Sequence, residues 1–385
     1  MYETITTTQR LREVCDGYSA KPHITIDTEF VRETTFWPDL CLVQIACDEH
    51  VVLIDPLAKG MDLQPLFDLL ANASVTKVFH AARQDVEIFF HLSGSVPHPI
   101  FDTQVAAMVC GFGDSIAYDA LAKRIADVHI DKSSRFTNWK LRPLTEKQLD
   151  YAAADVTHLR QIYAHLTAML EENGRGHWLE EEMAVLTSAD TYNMKPEDAW
   201  KRLKLRARKP SEFEITKRLA EWRETEARTK NTPRSRVLKD DAIYEIAQQQ
   251  PGDERALGRL RTIYKGVERS AVGKAALQII DDVKALDRDQ LPKVPRTAPS
   301  PEGTGAAVDL LKVLLKLTAE ELDVAQKIIA NTEQLEKIAV HGENAEVAAM
   351  QGWRRDVFGN RALAMLDGRI AVAFEDRKIT TINRE

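Results

Sequence analysis

Cysteine is scarce in this sequence, and no two cysteines have the spacing of a metal or redox motif. The 385 residues include four cysteines, Cys15, Cys41, Cys47 and Cys110, and no C-x-x-C pair. So few and so scattered thiols argue against a disulfide framework and against a zinc knuckle. We therefore expect the protein to work in a reducing, cytoplasmic setting.

Long apolar runs are also absent. No stretch of 18 or more apolar residues occurs, and the first residues, MYETITTT, lack a basic region followed by an apolar one. The sequence therefore predicts no membrane-spanning helix, no secretory signal and no membrane partner. With 44% hydrophobic and 29% charged residues, the composition is that of a globular protein, and the length predicts two or three domains.

The net charge of −7 hides a basic segment. Between Trp200 and Lys239, fourteen Lys or Arg stand against five Asp or Glu, a local charge of +9 that leaves −16 for the rest of the chain. An acidic body joined to a basic segment fits a polyanionic ligand whose backbone is held in one place and processed in another. A solvated basic helix face explains such a run equally well.

Strand and helix patterns divide the chain into regions. Up to about residue 190, short β-rich stretches bounded by turn residues alternate with helical patterns, which predicts an α/β domain with a mixed sheet flanked by helices. After that point the strand patterns end. Two regions that we predict to be all-helical, 191–290 and 306–385, flank an extended linker at 291–305 that contains four prolines and two glycines.

The two helical regions look like copies of each other. Gly266–Leu277 aligns without gaps on Gly352–Leu363, with five of twelve residues identical. An upstream match places Asp240 and Thr332 at equivalent positions, where each would cap a helix N-terminus. The offsets of 92 and 86 residues correspond to a small domain, so we expect two tandem helical domains rather than a solenoid.

Two acidic residues end the first clear strand pattern. In I-T-I-D-T-E-F, apolar Ile24 and Ile26 alternate with polar residues, and Asp27 and Glu29 follow at i and i+2. Alternate residues of a strand project from the same face, so both carboxylates point the same way. Left unpaired, they repel and raise each other's pKa, and a bound divalent cation removes that cost.

Three more residues complete a candidate site. Asp85 opens a helical pattern after the strand at Lys77–His80, although an acid at a helix N-terminus needs no catalytic role. Tyr151 and Asp155 lie four residues apart on one helix face, as an ordinary surface pair also would. Carboxylate oxygens select Mg²⁺ or Mn²⁺ over zinc, and two such ions can stabilise both oxygens of a phosphodiester displacement. Tyr151 would then orient the attacking water or help to deprotonate it.

The order D-x-E, F-H-x-x-x-x-D, Y-x-x-x-D resembles the three motifs of the DEDDy branch of the DnaQ-like 3′-to-5′ exonuclease superfamily. Asp27–Ile45 and Ser134–Val156 extend the likeness, and the whole chain is similar to the bacterial ribonuclease D family. The helical regions resemble HRDC domains. The resemblance implies an exonuclease domain of RNase H-like fold at 1–190, an HRDC domain with a basic lead-in at 191–290, and a second, more divergent HRDC-like domain at 306–385.

The resemblance also implies roles for the motif residues. Asp27, Glu29, Asp85 and Asp155 would bind two divalent metal ions, Mg²⁺ or Mn²⁺, and Tyr151 would take the place of the histidine of the other branch. The implied activity is hydrolysis of RNA from an accessible 3′ end to 5′-monophosphates. The expected substrates are tRNA precursors and small stable RNAs, and the expected state is monomeric. None of the five motif positions is substituted, so we expect an active enzyme.

Other residues near the motifs are candidates for RNA contacts. Candidates for substrate binding are Phe30, His80, Gln84, Lys132, Arg135, Trp139, Lys140 and Arg142. Candidates for contact with the RNA backbone are Lys201, Arg202, Lys204, Arg206, Arg208 and Lys209. Core packing is the rival explanation for Phe30, and a buried polar role is the rival for His80. We assign Asp102 to a helix N-cap.

Two other functions remain open at this point. A DNA 3′-to-5′ exonuclease would use the same chemistry, although no polymerase or helicase region follows the motifs. An RNA-binding adaptor with an inactive exonuclease fold would rely on the helical domains, although the motif acids are intact. Rates on matched RNA and DNA oligonucleotides distinguish the DNA exonuclease from an exoribonuclease. Mn²⁺-dependent cleavage of bound RNA distinguishes an active enzyme from the RNA-binding adaptor.

Overall fold

The computed structural model describes residues 2–48, 50–295 and 301–384. Contacts within this part of the chain define two compact units. The first comprises the described residues of Met1–Glu29, Cys41–Ser188 and Ala298–Glu385, and the second those of Phe30–Leu40 and Ala189–Thr297. Residues 296–300 of the predicted linker lie outside the described residues. Among the described residues, no helix is both long enough and apolar enough to cross a bilayer.

A six-stranded mixed sheet organises the first unit. Its opening elements are β1 (Tyr2–Ile5), α1 (Thr8–Tyr18), β2 (His23–Val31), β3 (Asp39–Cys47), β4 (His50–Ile54), α2 (Gln64–Ala71), β5 (Thr76–Phe79), α3 (Arg83–Ser93), β6 (Ile100–Asp102), α4 (Thr103–Val109), α5 (Tyr118–Ala126), α6 (Glu146–Glu172) and α7 (Glu180–Thr187). The strand order is β1-β4-β3-β2-β5-β6. The β3/β4 pair is antiparallel, whereas β1/β4, β2/β5 and β5/β6 are parallel.

Strand β2 lies near the middle of this sheet because buried apolar residues fix it there. Ile24 and Ile26 are fully buried, and β2 has β3 on one side and β5 on the other. The predicted α/β domain with a mixed sheet and flanking helices is therefore confirmed. A strand held on both sides is a rigid base for the acidic residues that follow the two isoleucines.

The second unit is helical except for residues 30–40, which contain the end of β2 and the start of β3. Its helices are α8 (Pro210–Thr229), α9 (Arg234–Val237), α10 (Asp240–Gln249), α11 (Glu254–Leu257) and α12 (Ala271–Lys284). Apolar residues of α8, α10, α11 and α12 form one core, which includes Leu219, Ile243 and Ile280. Helix α10 has Lys239 at its N-cap, one residue before the predicted Asp240.

The C-terminal region belongs to the first unit and is helical until its last residues. It contains α13 (Thr304–Leu322), α14 (Gln326–Ile329), α15 (Thr332–His341), α16 (Gly352–Arg354), a π-helical segment (Arg355–Gly359), α17 (Asn360–Leu366), β7 (Ile370–Glu375) and β8 (Lys378–Asn383). Helix α15 is capped by Asn331, whose side chain accepts from the Gln334 amide, so the predicted Thr332 cap is displaced by one residue.

The prediction that region 306–385 is all-helical is wrong for its last residues. Strands β7 and β8 pair in antiparallel fashion, with Ile370 opposite Asn383. The connecting residues Asp376 and Arg377 both have positive φ, at 49° and 65°, as a two-residue hairpin turn of the primed type requires. The turn lacks the usual glycine, but the flanking segments are rich in β-branched residues such as Val372 and Ile379, which favour strands.

Matching glycines support the predicted repeat. Gly266 and Gly352, which align in the two copies, both adopt positive φ, at 97° and 47°. The aligned pair Gly273 and Gly359 lies against backbone, where a Cβ atom would overlap a carbonyl oxygen in each copy. Each position therefore needs glycine for the same reason in both regions.

The C-terminal region shares its core with the α/β part of the first unit. Trp178, just after α6, stacks on Trp353 with ring centroids 3.9 Å apart and an interplanar angle of 4°. Beside this pair, the buried Arg354 forms ion pairs with Glu181 and with Glu182, the latter at 2.7 Å. Residues of α4 and α6 join α13 and α15 in the same buried cluster.

We expect Trp353→Ala to lower the free energy of unfolding by about 3–5 kcal/mol, since it removes a large buried ring and leaves a cavity opposite Trp178. Urea denaturation followed by circular dichroism measures the change. Phe374→Ala is the matched control, because Phe374 is 73% exposed on β7 and its loss should change the stability by less than about 0.5 kcal/mol. Equal effects of the two substitutions would contradict the shared core.

Candidate active site

Strand β2 and helix α6 supply the residues of the first and third predicted motifs. Asp27 and Glu29 lie in the second half of β2. On the same strand, the buried Thr25 hydroxyl donates to the Val156 carbonyl of α6 at 2.9 Å. This bond joins the strand to the helix one residue from Asp155, so the acids of both elements are held in one frame.

Helix α6 begins where its sequence predicts a strong start. Thr145 and Gln148 form a capping box, in which each side chain bonds to the backbone of the other residue. Tyr151 and Asp155 follow on one helix face, and the two groups are close enough for each to influence the pKa of the other. The phenol and the acid therefore act as a pair rather than as two independent surface groups.

Three of the four predicted acids meet at one point. Asp27, Glu29 and Asp155 each bring a carboxylate oxygen within 4.8 Å of the other two. Asp27 and Glu29 are half-buried and Asp155 is buried. This convergence from a strand and a helix is the arrangement that the i, i+2 and i, i+4 spacings predict.

The fourth acid, Asp85, stands apart from this trio. It is buried in the first turn of α3, and its carboxylate accepts a short hydrogen bond from the Thr28 hydroxyl. Thr28 lies between the two motif acids and points to the other side of the strand. Asp85 remains close enough for the charge of Asp27 to raise its pKa, after burial, which is the larger cause. A direct place for Asp85 in the oxygen cluster therefore stays a prediction.

Burial is the main cause that raises the pKa of the three clustered carboxyls. The charge of Asp155 adds to it for Asp27, and the charges of the other acids add to it for Glu29, whose pKa rises to about 10. The pKa of Asp155 rises only to about 7, because its bond from Tyr151 and the positive charge of Arg135 oppose the effect of burial. The protein thus gathers more negative charge here than its own cations offset.

The donor set of this cluster fits a hard divalent cation. Three carboxylates offer oxygen ligands alone, which suits Mg²⁺ or Mn²⁺ and not zinc, and no histidine or cysteine belongs to the group. The raised pKa values show that the ionised site lacks a partner charge. Asp27, Glu29 and Asp155 would hold such an ion, and the cation would supply the missing positive charge.

Without a divalent cation, we expect the melting temperature to fall as the pH rises from about 5 to 8. The unfolded chain ionises aspartate near pH 4, whereas the folded pKa of Asp155 is about 7. Between these values the folded state binds more protons, so stability decreases as the pH rises. Saturating Mg²⁺ or Mn²⁺ should flatten the profile, because the ion binds the deprotonated acids.

Scanning fluorimetry in EDTA across this pH range measures the effect. Asp155→Asn serves as the control, because it removes one of the titrating groups and should show a smaller decrease than the wild type. Identical pH profiles for the two proteins in EDTA would contradict this electrostatic account of the site.

A cavity of about 340 Å³ opens beside the acids. Its walls include Asp27, Asp155 and Tyr151 together with the basic side chains of Lys132 and Arg135. A pocket lined by both carboxylates and cations has the charges needed to bind a metal ion and a phosphate group side by side.

Tyr118 and Thr28 are site residues that the sequence motifs do not include. Tyr118, at the start of α5, lines the cavity and donates to the Ala154 carbonyl of α6 at 3.1 Å. Thr28 holds Asp85. The position of Thr28 inside the D-x-E motif is a sequence signal that could have identified it. Tyr118 can be identified as a site residue only from the packing of α5 against α6.

His80 lines the cavity but is held by the protein. One ring nitrogen lies 3.0 Å from the Thr103 hydroxyl and the other 3.1 Å from the Ile116 carbonyl. Burial lowers its pKa. His80 therefore supports the cavity wall.

Asp102 caps α4 by accepting a hydrogen bond from the Gln104 amide, as its N-cap assignment predicts. It also accepts hydrogen bonds from two backbone amides that precede α3.

The loop before α6 corrects two of the predicted substrate contacts. Trp139 is only 2% exposed and packs 6.2 Å from the Tyr151 ring, so it is not available to stack on a base. Arg142 forms a two-pronged ion pair with Asp55 and donates to the Cys41 carbonyl at 2.6 Å. Both side chains anchor the loop, Trp139 through its burial and Arg142 through its ion pair with Asp55.

The remaining candidates differ in their surroundings. Gln84 and Lys140 are exposed and Phe30 is half-buried, and none of the three lines the cavity. In the second unit, the cations at 201, 202, 204, 206, 208 and 209 are all exposed. Arg206 pairs with Asp241 at 3.2 Å, and Lys201 pairs with Asp198 at 2.7 Å. Contacts of these residues with RNA stay predictions.

Comparison with known proteins defines the class first. A family model described as 3′-5′ exonuclease matches residues 2–171, and the HRDC domain model matches residues 212–280. Together with the clustered acids, these matches define a 3′-to-5′ exonuclease domain followed by an HRDC domain. A second HRDC domain in the C-terminal region stays a prediction, as do the exact domain boundaries.

Full-length relatives then identify the family. Ribonuclease D of Nitrobacter hamburgensis is 50% identical over 382 residues, covering 99% of this chain and 100% of that protein. Ribonuclease D of Bartonella henselae is 46% identical, covering 99% and 94%. The crystal structure of Escherichia coli RNase D, an exoribonuclease involved in structured RNA processing, matches with a TM-score of 0.83 and 30% identity over 95% of this chain and 98% of that one. This chain belongs to the ribonuclease D family.

Proposed function

We propose that this member of the ribonuclease D family is a metal-dependent 3′-to-5′ exoribonuclease that releases nucleoside 5′-monophosphates one at a time. The observation that carries the proposal is the oxygen cluster of Asp27, Glu29 and Asp155, with Tyr151 lining the same cavity beside Asp155. An oxygen-only acidic cluster beside a phenol suits hydrolysis of a phosphodiester, because charge develops on oxygen in that reaction.

Divalent ions bound at this cluster would supply charge that stabilises the phosphoryl oxygens during displacement. We assign Asp27, Glu29 and Asp155 to that binding and Asp85 to a supporting role, held in place by Thr28. The hydrolysis adds water across the bond between the phosphorus and the 3′ oxygen of the preceding nucleotide. The terminal nucleotide leaves with its 5′ phosphate, and the shortened RNA keeps a 3′ hydroxyl.

Tyr151 orients the attacking water in this proposal. Burial, the largest cause, and the charges of the clustered acids raise the pKa of its phenol above the ordinary value. A phenol that stays protonated near neutral pH cannot be the general base. Its fixed hydroxyl can hold a water molecule in line with the scissile bond, and correct placement of a reactant is worth a large share of a catalysed rate.

The substrates we propose are RNAs with an accessible 3′ end, such as tRNA precursors and other small stable RNAs. The cavity beside the acids and its lining by Lys132 and Arg135 support a single-stranded end in the active site. The exposed basic residues at 201–209 support contact with the phosphate backbone of the RNA upstream of its 3′ end. We propose that the enzyme works as a monomer in the cytoplasm, with Mg²⁺ or Mn²⁺.

Digestion of matched RNA and DNA oligonucleotides tests the polymer preference. Under single-turnover conditions with Mg²⁺, and again with Mn²⁺, the RNA should lose 3′ nucleotides faster than the DNA of the same sequence. A 3′-extended tRNA precursor should shorten in one-nucleotide steps and accumulate at a length near the mature end. Faster cleavage of DNA would favour the DNA exonuclease instead.

A further inference from the structure

One apolar side chain near the active site has almost no contact with the protein. Phe136, in the loop between α5 and α6, is 89% exposed, the highest value of any large hydrophobic residue that the structure describes. Single exposed hydrophobic residues are common on protein surfaces, so exposure alone assigns no role. The Phe136 ring is a candidate for a functional role because it lies beside Arg135, a residue of the cavity.

Arg135 links the exposed ring to the catalytic cavity. Its side chain lines the cavity, and its positive charge acts on the carboxylates of both Glu29 and Asp155. The same guanidinium lies 5.2 Å from the centroid of the Phe136 ring. Arg135 therefore lies close to both the acids and the Phe136 ring, so the ring is one side chain away from the lining of the cavity.

The loop on either side of Phe136 is anchored. Ser134 is buried, and its carbonyl accepts from the Thr137 hydroxyl at 2.8 Å. The Gln148 amide of α6 in turn donates to that hydroxyl at 3.0 Å. Trp139 is buried three residues after Phe136. The ring is therefore presented to solvent by a fixed backbone, with a buried residue before it and another after it.

We propose that Phe136 is a stacking platform for an unpaired base of the RNA close to its 3′ end, with Arg135 contacting the adjoining phosphate. The inference rests on the proposed exoribonuclease function, since it needs a single-stranded 3′ end in the cavity. An aromatic face beside a cation is the pair that binds single-stranded nucleic acid without sequence preference, because every base has a face that can stack. A nuclease that must accept each successive terminal base needs this kind of contact.

An abasic ribose in the RNA removes the stacking partner without touching the protein. Short single-stranded RNAs with an abasic ribose at one of the last four positions are compared with the intact RNA, using the wild-type enzyme and Phe136→Ala. Dissociation constants are measured by fluorescence anisotropy in EDTA, where no cleavage occurs, and KM and kcat are measured with Mg²⁺.

We expect Phe136→Ala to raise both KM and the dissociation constant for intact RNA roughly five- to a hundredfold, with kcat changed less than about threefold. One abasic position should weaken binding to the wild type by a similar factor and should cause little further loss in Phe136→Ala. Phe136→Trp should restore binding. Phe374→Ala, which removes another exposed ring from the hairpin β7/β8, should leave both constants unchanged.

Two results would overturn the inference. One is a Phe136→Ala enzyme that binds and cleaves intact RNA as the wild type does. The other is a set of abasic effects that are as large in Phe136→Ala as in the wild type at every position. A wild-type enzyme that binds the RNAs but releases no nucleotide would instead overturn the proposed function, and the anisotropy data would still decide whether Phe136 contacts a base.

Discussion

Asp27→Asn is expected to reduce the release of 3′ nucleotides from RNA by roughly a thousandfold or more. The amide keeps the shape of the side chain but removes a charged oxygen ligand from the centre of the cluster with Glu29 and Asp155. Charge stabilisation by a bound metal is worth several kcal/mol, and each 1.36 kcal/mol corresponds to a factor of ten in rate. Single-turnover cleavage of a labelled RNA in saturating Mg²⁺ measures the loss.

The same substitution should make the metal-free protein more stable. Burial and the charge of Asp155 raise the pKa of Asp27, which means that the ionised form is disfavoured in the folded state. A neutral amide removes this repulsion, so Asp27→Asn should melt at a higher temperature than the wild type in EDTA at pH 8, and should gain less from added Mg²⁺. Lost activity combined with increased stability distinguishes a missing ligand from a misfolded enzyme.

Asp16→Asn is the control for this experiment, because Asp16 is an exposed residue of α1 outside the site. It should leave the rate and the melting temperature close to those of the wild type. An Asp27→Asn enzyme that cleaves RNA at the wild-type rate would contradict the assignment of the acids.

Tyr151→Phe is expected to lower kcat by roughly a hundred- to a thousandfold while KM changes less than about threefold. The substitution removes only the hydroxyl that interacts with Asp155 and, in the proposed mechanism, orients water. Positioned groups that assist a proton transfer or hold a reactant contribute effects of this size. The aromatic ring and its packing against Trp139 remain, so binding of RNA should change little.

Tyr163→Phe is the matched control for Tyr151→Phe. Tyr163 lies on the same helix α6 and packs against His23 and Phe101, with ring centroids 4.7 and 4.9 Å away. It should leave kcat within about a factor of two. A Tyr151→Phe enzyme that loses RNA affinity but keeps kcat would show that the phenol binds substrate and has no part in the chemical step.

The pattern of the sequence predicts much of this site because the spacings involved are local. Asp27 and Glu29 share a face since strands repeat every two residues, and Tyr151 and Asp155 share one since helices repeat about every four. The N-cap of Asp102 also follows from its neighbours alone. Such features depend only on the local backbone geometry, so they do not depend on how distant segments of the chain pack.

Features that depend on packing between distant segments could not be read from the sequence. Trp139 is a plausible RNA contact in a polar loop until the structure buries it against Tyr151. Arg142 looks free until Asp55, 87 residues away, pairs with it. The hydrogen bond from Thr28 to Asp85 likewise depends on how α3 packs beside β2.

The missed secondary structure has a different cause. The C-terminal hairpin was obscured by the helical region before it, and its Asp376-Arg377 turn lacks the glycine that usually marks such a turn. Short elements at the ends of a chain carry few residues from which a period can be recognised.

The most direct test of the central claim is digestion of one 5′-labelled RNA that carries a 3′ extension, with products resolved at single-nucleotide steps. The wild-type enzyme with Mg²⁺ should produce a ladder that shortens from the 3′ end and should release nucleoside 5′-monophosphates. EDTA or Asp27→Asn should leave the RNA at full length. Internal cleavage products, or an identical ladder from Asp27→Asn, would contradict the account of Asp27, Glu29 and Asp155 as the metal-binding centre of a 3′-to-5′ exoribonuclease.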